Sequence, residues 1–193
     1  QTPRHRLSIA NIYQLPIGRD RAIGREWSGV TDFLLGGWQV STLITWQTGI
    51  PVNVSLATNG IDPATGQSYR FLNRNGGSLR PNLVGKPNTG IDPKEDRFRF
   101  LDSTAYEVQA LNTPGNAPRN SAWGPRYANV DVSLVKRFRV DDSRYFDFRA
   151  EAFNVLNSTR FRLPNGSFGG SSFGIINDAY DPRIVQLALR FAF

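Results

Sequence analysis

Arg183-Ile184-Val185-Gln186-Leu187-Ala188-Leu189-Arg190-Phe191-Ala192-Phe193 separates into two faces at period two. Val185, Leu187, Leu189, Phe191 and Phe193 fall on one side, and Ile184, Gln186, Ala188, Arg190 and Ala192 fall on the other. Such alternation marks a strand lying between two different environments. A strand of a soluble sandwich and a strand facing lipid both satisfy it. Length and position favour lipid: about ten residues are what a tilted strand needs to cross a bilayer, and no polar tail follows Phe193.

Two more alternating segments precede this one. In the first, Ala128, Val130, Val132, Leu134 and Phe138 oppose Asn129, Asp131, Ser133, Arg137 and Arg139. Asp141-Asp142-Ser143 supplies turn chemistry. In the second, Phe146, Phe148, Ala150, Ala152 and Leu156 oppose Asp147, Arg149 and Glu151. Unpaired charges are costly in a dry core. A wet lumen, where they pair across strands, removes that cost. A soluble sheet with one solvated face removes it equally well. Asp131, Arg137, Asp147, Arg149, Glu151 and Arg190 are therefore the predicted lumen-facing residues.

Further upstream, Trp38, Val40, Thr42, Ile44 and Trp46 alternate with Gln39, Ser41, Leu43, Thr45 and Gln47. Strand rise and tilt put Trp38 and Trp46 roughly 20 Å apart along a membrane normal. That suits two aromatic girdles flanking an apolar band. Two core tryptophans of a sandwich are the alternative. The first strand covers residues 5–15, with Leu7, Ile9, Tyr13 and Leu15 on one face, and Pro16 ends it.

The connections differ in kind. Residues 50–126 carry turn sequences at Asn59-Gly60, Asp62-Pro63, Asn75-Gly76-Gly77, Asn88-Thr89-Gly90 and Thr113-Pro114-Gly115. Within them only short runs, such as Arg97-Phe98-Arg99-Phe100-Leu101, read as strand or helix. So long an irregular connection is unusual in a compact soluble domain. Residues 157–182 form a second Gly-rich loop. Counting strands back from Phe193 puts both long loops on one side and the Asp141–Ser143 turn on the other. Outer-membrane barrels have long extracellular loops and short periplasmic turns. Residues 17–36 then fall on the periplasmic side, and Phe33-Leu34-Leu35 either continue the next strand or touch the membrane edge.

Composition removes several classes of function. The chain has 193 residues, 20% of them charged, 39% hydrophobic, and no cysteine. A disulfide framework or thiolate metal site is thus excluded, and no run is long enough for a transmembrane helix. Gln1 reads as an internal residue of a longer precursor, a processing product or an incomplete gene model. The net charge of +7 invites nucleic-acid binding. The arginines, however, are scattered without a basic run, and no nucleic-acid partner is expected. His5 is the only histidine. No nucleophile elbow, phosphate loop or metal-spaced ligand set accompanies it, so no enzyme, catalytic residue, metal or cofactor is expected. Asp147, Arg149 and Glu151 form a charge ladder more simply than an acid–base pair. Gly60-Ile61-Asp62 and Gly90-Ile91-Asp92 lack the EF-hand pattern and read as turns rather than calcium loops.

Several motifs carry a resemblance when taken in order. They are Gly37-Trp38-Gln39-Val40-Ser41, Arg80-Pro81-Asn82-Leu83-Val84-Gly85 and Arg119-Asn120-Ser121-Ala122-Trp123-Gly124-Pro125. Asn129-Val130-Asp131-Val132-Ser133-Leu134, Phe148-Arg149-Ala150-Glu151-Ala152-Phe153-Asn154-Val155-Leu156-Asn157 and Leu189-Arg190-Phe191-Ala192-Phe193 complete the set. Together they resemble the C-terminal end of TonB-dependent receptors. The nearest branch is the Oar-like proteins with an N-terminal carboxypeptidase-regulatory-like domain, abundant in Acidobacteria.

The resemblance implies a barrel of about 22 strands closed by a plug, with a TonB-binding segment near the N-terminus and nutrient import as its task. It also implies that Phe191 and Phe193 belong to the C-terminal signal read by the barrel assembly machinery. The chain matches only the last five strands or so and lacks the plug and the TonB-binding segment. The expected fold is all-β, with antiparallel strands near 5–15, 38–48, 127–140, 144–156 and 183–193 and a long loop over 50–126. The expected setting is the bacterial outer membrane, with lipid, the rest of the barrel and plug, and TonB as partners. A structural or surface-assembly role and a soluble β-sandwich binding module are the alternatives.

Overall fold

The alternating segments form five strands: β1 (Arg6–Gln14), β2 (Trp38–Gln47), β3 (Tyr127–Arg139), β4 (Tyr145–Phe153) and β5 (Ile184–Ala192). This computed structural model describes residues 2–57, 66, 79–96, 98–110, 113–141 and 143–193. Arg97, Asp142, the turn sequences Asn59-Gly60, Asp62-Pro63 and Asn75-Gly76-Gly77, and Gly60-Ile61-Asp62 lie outside the described residues. The chain divides into two units.

One unit, Arg6–Trp46 with Ala128–Thr159 and Asp181–Phe193, holds the sheet. Its strands hydrogen-bond in the order β1-β2-β3-β4-β5, each beside its neighbour in sequence. The β3–β4 and β4–β5 pairs are antiparallel. At the ends of β1 and β2, Leu15 donates to Trp38 O and Thr48 donates to His5 O, which is also antiparallel pairing. Leu134, Ala150 and Leu187 therefore share one row, and Arg137, Asp147 and Arg190 share another. Opposed residues point to the same face, so register preserves the two-sided pattern across the strands.

The strands agree with the expected ones to within a residue or so, except at the end of β4. The sequence pattern carried that strand to residue 156, but it stops at Phe153. Asn154 and Asn157 adopt φ of 51° and 50°, in the left-handed region that asparagine tolerates and that ends a strand. Leu156 is consequently a turn residue, 70% exposed, and not part of the apolar strand face. Phe33-Leu34-Leu35 do not continue β2 either. They end a short helix, α1 (Gly29–Leu35), and Gly36-Gly37 turn the chain into β2, Gly37 at φ 71°.

The other unit comprises Gln1–His5, Gln47–Tyr127 and Arg160–Tyr180. Residues 50–126 are less irregular than the turn sequences implied. Pro51–Val52 pairs antiparallel with Ala122–Trp123, Asn82–Leu83 with Tyr106–Glu107, and Ser55–Leu56 runs parallel to Ser167–Phe168. Arg99 and Ile175 form an isolated bridge. Val52, Val54, Leu101, Ala105, Tyr106, Ala117, Ala122 and Phe173 make a hydrophobic core of this unit. Tyr106 and Phe168 set their rings 5.7 and 5.2 Å from Phe173. Gly174 has φ 74°, and a Cβ there would lie 3.0 Å from that of buried Leu101. Two-residue strands, paired across 23 to 112 positions, leave no periodic trace, so the core was not visible in sequence.

Candidate functional site

The charged row predicted from sequence is assembled on one face of the sheet. Asp147 lies directly between Arg137 on β3 and Arg190 on β5. Arg137 grips it as a fork, Nε to Oδ1 at 2.7 Å and Nη2 to Oδ2 at 3.1 Å. The Arg137 guanidinium also lies 4.0 Å from the Tyr145 ring centroid. Arg149 and Glu151 approach more loosely, at 3.7 Å along β4. With Gln39, these five residues line a cleft of about 650 Å³. Solvent-screened pairs of this kind contribute little to folding, so stability does not account for the row. Three guanidiniums against two carboxylates leave this face cationic. Such a surface attracts anionic groups.

Asp131 has a different task. It shares the parity of the charged face, but its carboxylate accepts from Asn129 Nδ2 at 2.8 Å and from Asn154 N at 2.9 Å. Asn154 is 1% exposed. Its Oδ1 accepts from Ser158 N at 3.2 Å, and its Nδ2 donates to Ser158 O at 3.1 Å. Arg183 N in turn donates to Asn157 Oδ1 at 3.1 Å. Asp131 therefore anchors the strand ends, while the other five predicted residues form the row.

The opposite face is apolar and uncovered. Val185, Leu187 and Leu189 are 63%, 71% and 67% exposed. Leaving such side chains in water forfeits about 1.5–3 kcal/mol each, a heavy load against the roughly 5–15 kcal/mol of a whole domain. Aromatic rings gather at one end of this face. Phe138, Phe146 and Phe191 share a row, with Phe146 and Phe191 4.8 Å apart and Phe193 5.9 Å beyond. Trp38 meets Phe138 and Phe148 edge-on at 6.3 and 6.0 Å, and its Nε1 donates to Leu34 O at 3.0 Å. Trp38 thus joins this cluster of rings. Trp46, the other predicted girdle residue, is exposed and meets no other ring among the described residues.

Lys136 belongs to this apolar face and was passed over in the sequence pattern. It sits opposite Phe148 and is 3% exposed. Its Nζ donates to Gly36 O and lies 4.9 and 5.4 Å from the Phe138 and Trp38 centroids. No local pattern announces this; its partner is one hundred positions away.

The loop unit holds a cleft of about 690 Å³ lined by residues including Asn88, Phe100, Trp123, Arg126 and Phe161. Asn88 clasps Trp123 at both backbone groups, Nδ2 to Trp123 O at 2.6 Å and Oδ1 from Trp123 N at 3.2 Å. Asp92, at its edge, accepts from Lys94 N and shapes a turn, as its sequence context implied. Nearby, bonds from the Thr104 hydroxyl and N–H hold the Asp102 carboxyl below its ordinary range. Burial pushes the Tyr106 phenol up, although Ser121 bonds to it. His5 engages Thr48 through its backbone, its N–H donating to Thr48 Oγ1 and its O accepting from Thr48 N.

Among the described residues no helix is long and apolar enough to cross a membrane, which says nothing of crossing by strands. Comparison with curated proteins and with solved structures returns no match. Comparison with family models returns one described as an outer membrane beta barrel domain, matching residues 1–186. A sheet apolar on one face and charged on the other fits that description, and the chain belongs to this outer membrane beta barrel family, located in the outer membrane.

Proposed function

We propose that the chain is the C-terminal barrel wall of a TonB-dependent active transporter for nutrient uptake. The observation that carries this reading is the two-faced sheet, apolar on one side and bearing the Arg137–Asp147–Arg190 row on the other, a division that suits lipid against the first and a hydrated lumen against the second. The loop unit adds a cleft, clasped around Trp123, where a solute is first held. The ordered motifs that resemble TonB-dependent receptors supply the energised part of the reading. Its partners are lipid, the remaining strands and plug, TonB through an N-terminal segment, and an assembly machinery that reads Phe191 and Phe193. The work is binding and passage, with no residue assigned to catalysis.

The test uses the protein with its native upstream sequence. Binding to the periplasmic domain of TonB, and solute uptake abolished by an uncoupler, are expected. Absence of both would leave a passive barrel or a surface-assembly component. The well-packed loop unit favours the latter as the second reading, because a rigid platform also serves protein docking.

A further inference from the structure

The connection between β1 and β2 builds a surface that passage through a barrel does not require. Helix α1 lies on the apolar side of the sheet. Phe33 packs on Phe138 at 5.1 Å, and the turn after the helix receives Lys136 at Gly36 O. Its outer side chains remain uncovered: Val30, Leu34 and Leu35 are all more than half exposed. Beside them is a cavity of about 340 Å³ lined by Arg19, Arg21, Asp32, Lys136, Arg137 and Arg139 among others. Five cations meet a single carboxylate there. Asp32 is already committed, accepting from Arg19 N at 2.6 Å. Arg137 is held by Asp147. Arg21 reaches only Gln14, at 3.5 Å, and Arg139 has no carboxylate partner among the described residues.

Guanidinium groups recognise phosphate by charge and by fork geometry. An apolar ledge next to such a pocket, continuous with a lipid-facing sheet, matches a ligand that joins a phosphodiester to acyl chains. We infer that this rim binds the anionic headgroup of a phospholipid in the periplasmic leaflet. Arg19 and Arg21, both on the connection itself, hold the phosphate, and the acyl chains lie against Val30, Leu34 and Leu35. Charge complementarity selects the headgroup, and continuity with the apolar face selects a membrane lipid over a soluble anion. The inference rests on the barrel reading and on residues 17–36 being periplasmic.

The experiment places the protein in nanodiscs of phosphatidylcholine, with and without phosphatidylglycerol, and counts retained lipid by native mass spectrometry. Protease protection of the strands reports insertion separately. Phosphatidylglycerol should be retained preferentially, and Arg19→Gln and Arg21→Gln should each weaken that preference about fivefold. Arg183→Gln, at the other end of the sheet, should leave it unchanged. Insertion with equal retention of both lipids overturns the site while sparing the barrel. Failure to insert in either lipid overturns both. Displacement of the lipid by inorganic phosphate would make the pocket a free-anion site and overturn the lipid assignment.

Discussion

At the scale of single residues, Asn154 and Asp141 close the two ends of β4. Asn154 combines a left-handed backbone with an almost fully buried amide bonded to Ser158 on both sides. Asn154→Ala strands those partners and forces an unfavourable φ, at a cost of about 1–3 kcal/mol. A lowered urea midpoint with unchanged sheet content is the expected result. The Asp141 carboxyl is held down to about 2, first by the Arg144 side chain, then by the N–H groups of Arg144 and Ser143. A depressed carboxylate stabilises above its unfolded value and loses that contribution as pH falls through the folded one. The turn should therefore hold down to pH 3.8 and loosen towards pH 2, as read by amide exchange at Ser143 and Arg144. Asp141→Asn should remove the dependence. The two sites differed in legibility. Asp141-Asp142-Ser143 announced a turn by composition, since Asx chemistry is local. Asn154 lay inside a pattern that still alternated, and its partner Asp131 is 23 positions away.

At the scale of elements, the alternation in β3, β4 and β5 was readable because every second side chain meets the same environment over nine or more residues. The register confirms that Val132 and Leu187 share a face and that Arg149 lies on the other. Val132→Arg and Leu187→Arg should impair membrane insertion by up to about 2–4 kcal/mol, depending on depth. Arg149→Gln should assemble normally, as judged by heat-dependent mobility on gels. Equal loss in all three would reverse the facing. Helix α1 was not legible. Gly29–Leu35 is too short for a helical period, and its apolar run suits a strand equally well. Lys136 was hidden for a related reason, since a lysine on an apolar face is intelligible only once Gly36 O, Trp38 and Phe138 surround it.

At the scale of the whole molecule, β1 and β5 each pair with a single strand among the described residues. An open pair of edges invites further pairing, and five strands fall short of the about eight in the smallest barrels. The chain is thus one sector of a wall, and its function depends on which side of that wall meets lipid. The sequence holds no cysteine, so single substitutions can be labelled cleanly. Cysteine placed in turn along β5, as in Leu187→Cys and Ala188→Cys, then spin-labelled in bilayers, reports oxygen and nickel-chelate accessibility by position. Oxygen accessibility should peak at Val185, Leu187, Leu189 and Phe191, with the chelate peaking at Gln186, Ala188 and Arg190. Absence of a period of two, or the same period with the faces exchanged, would contradict the account.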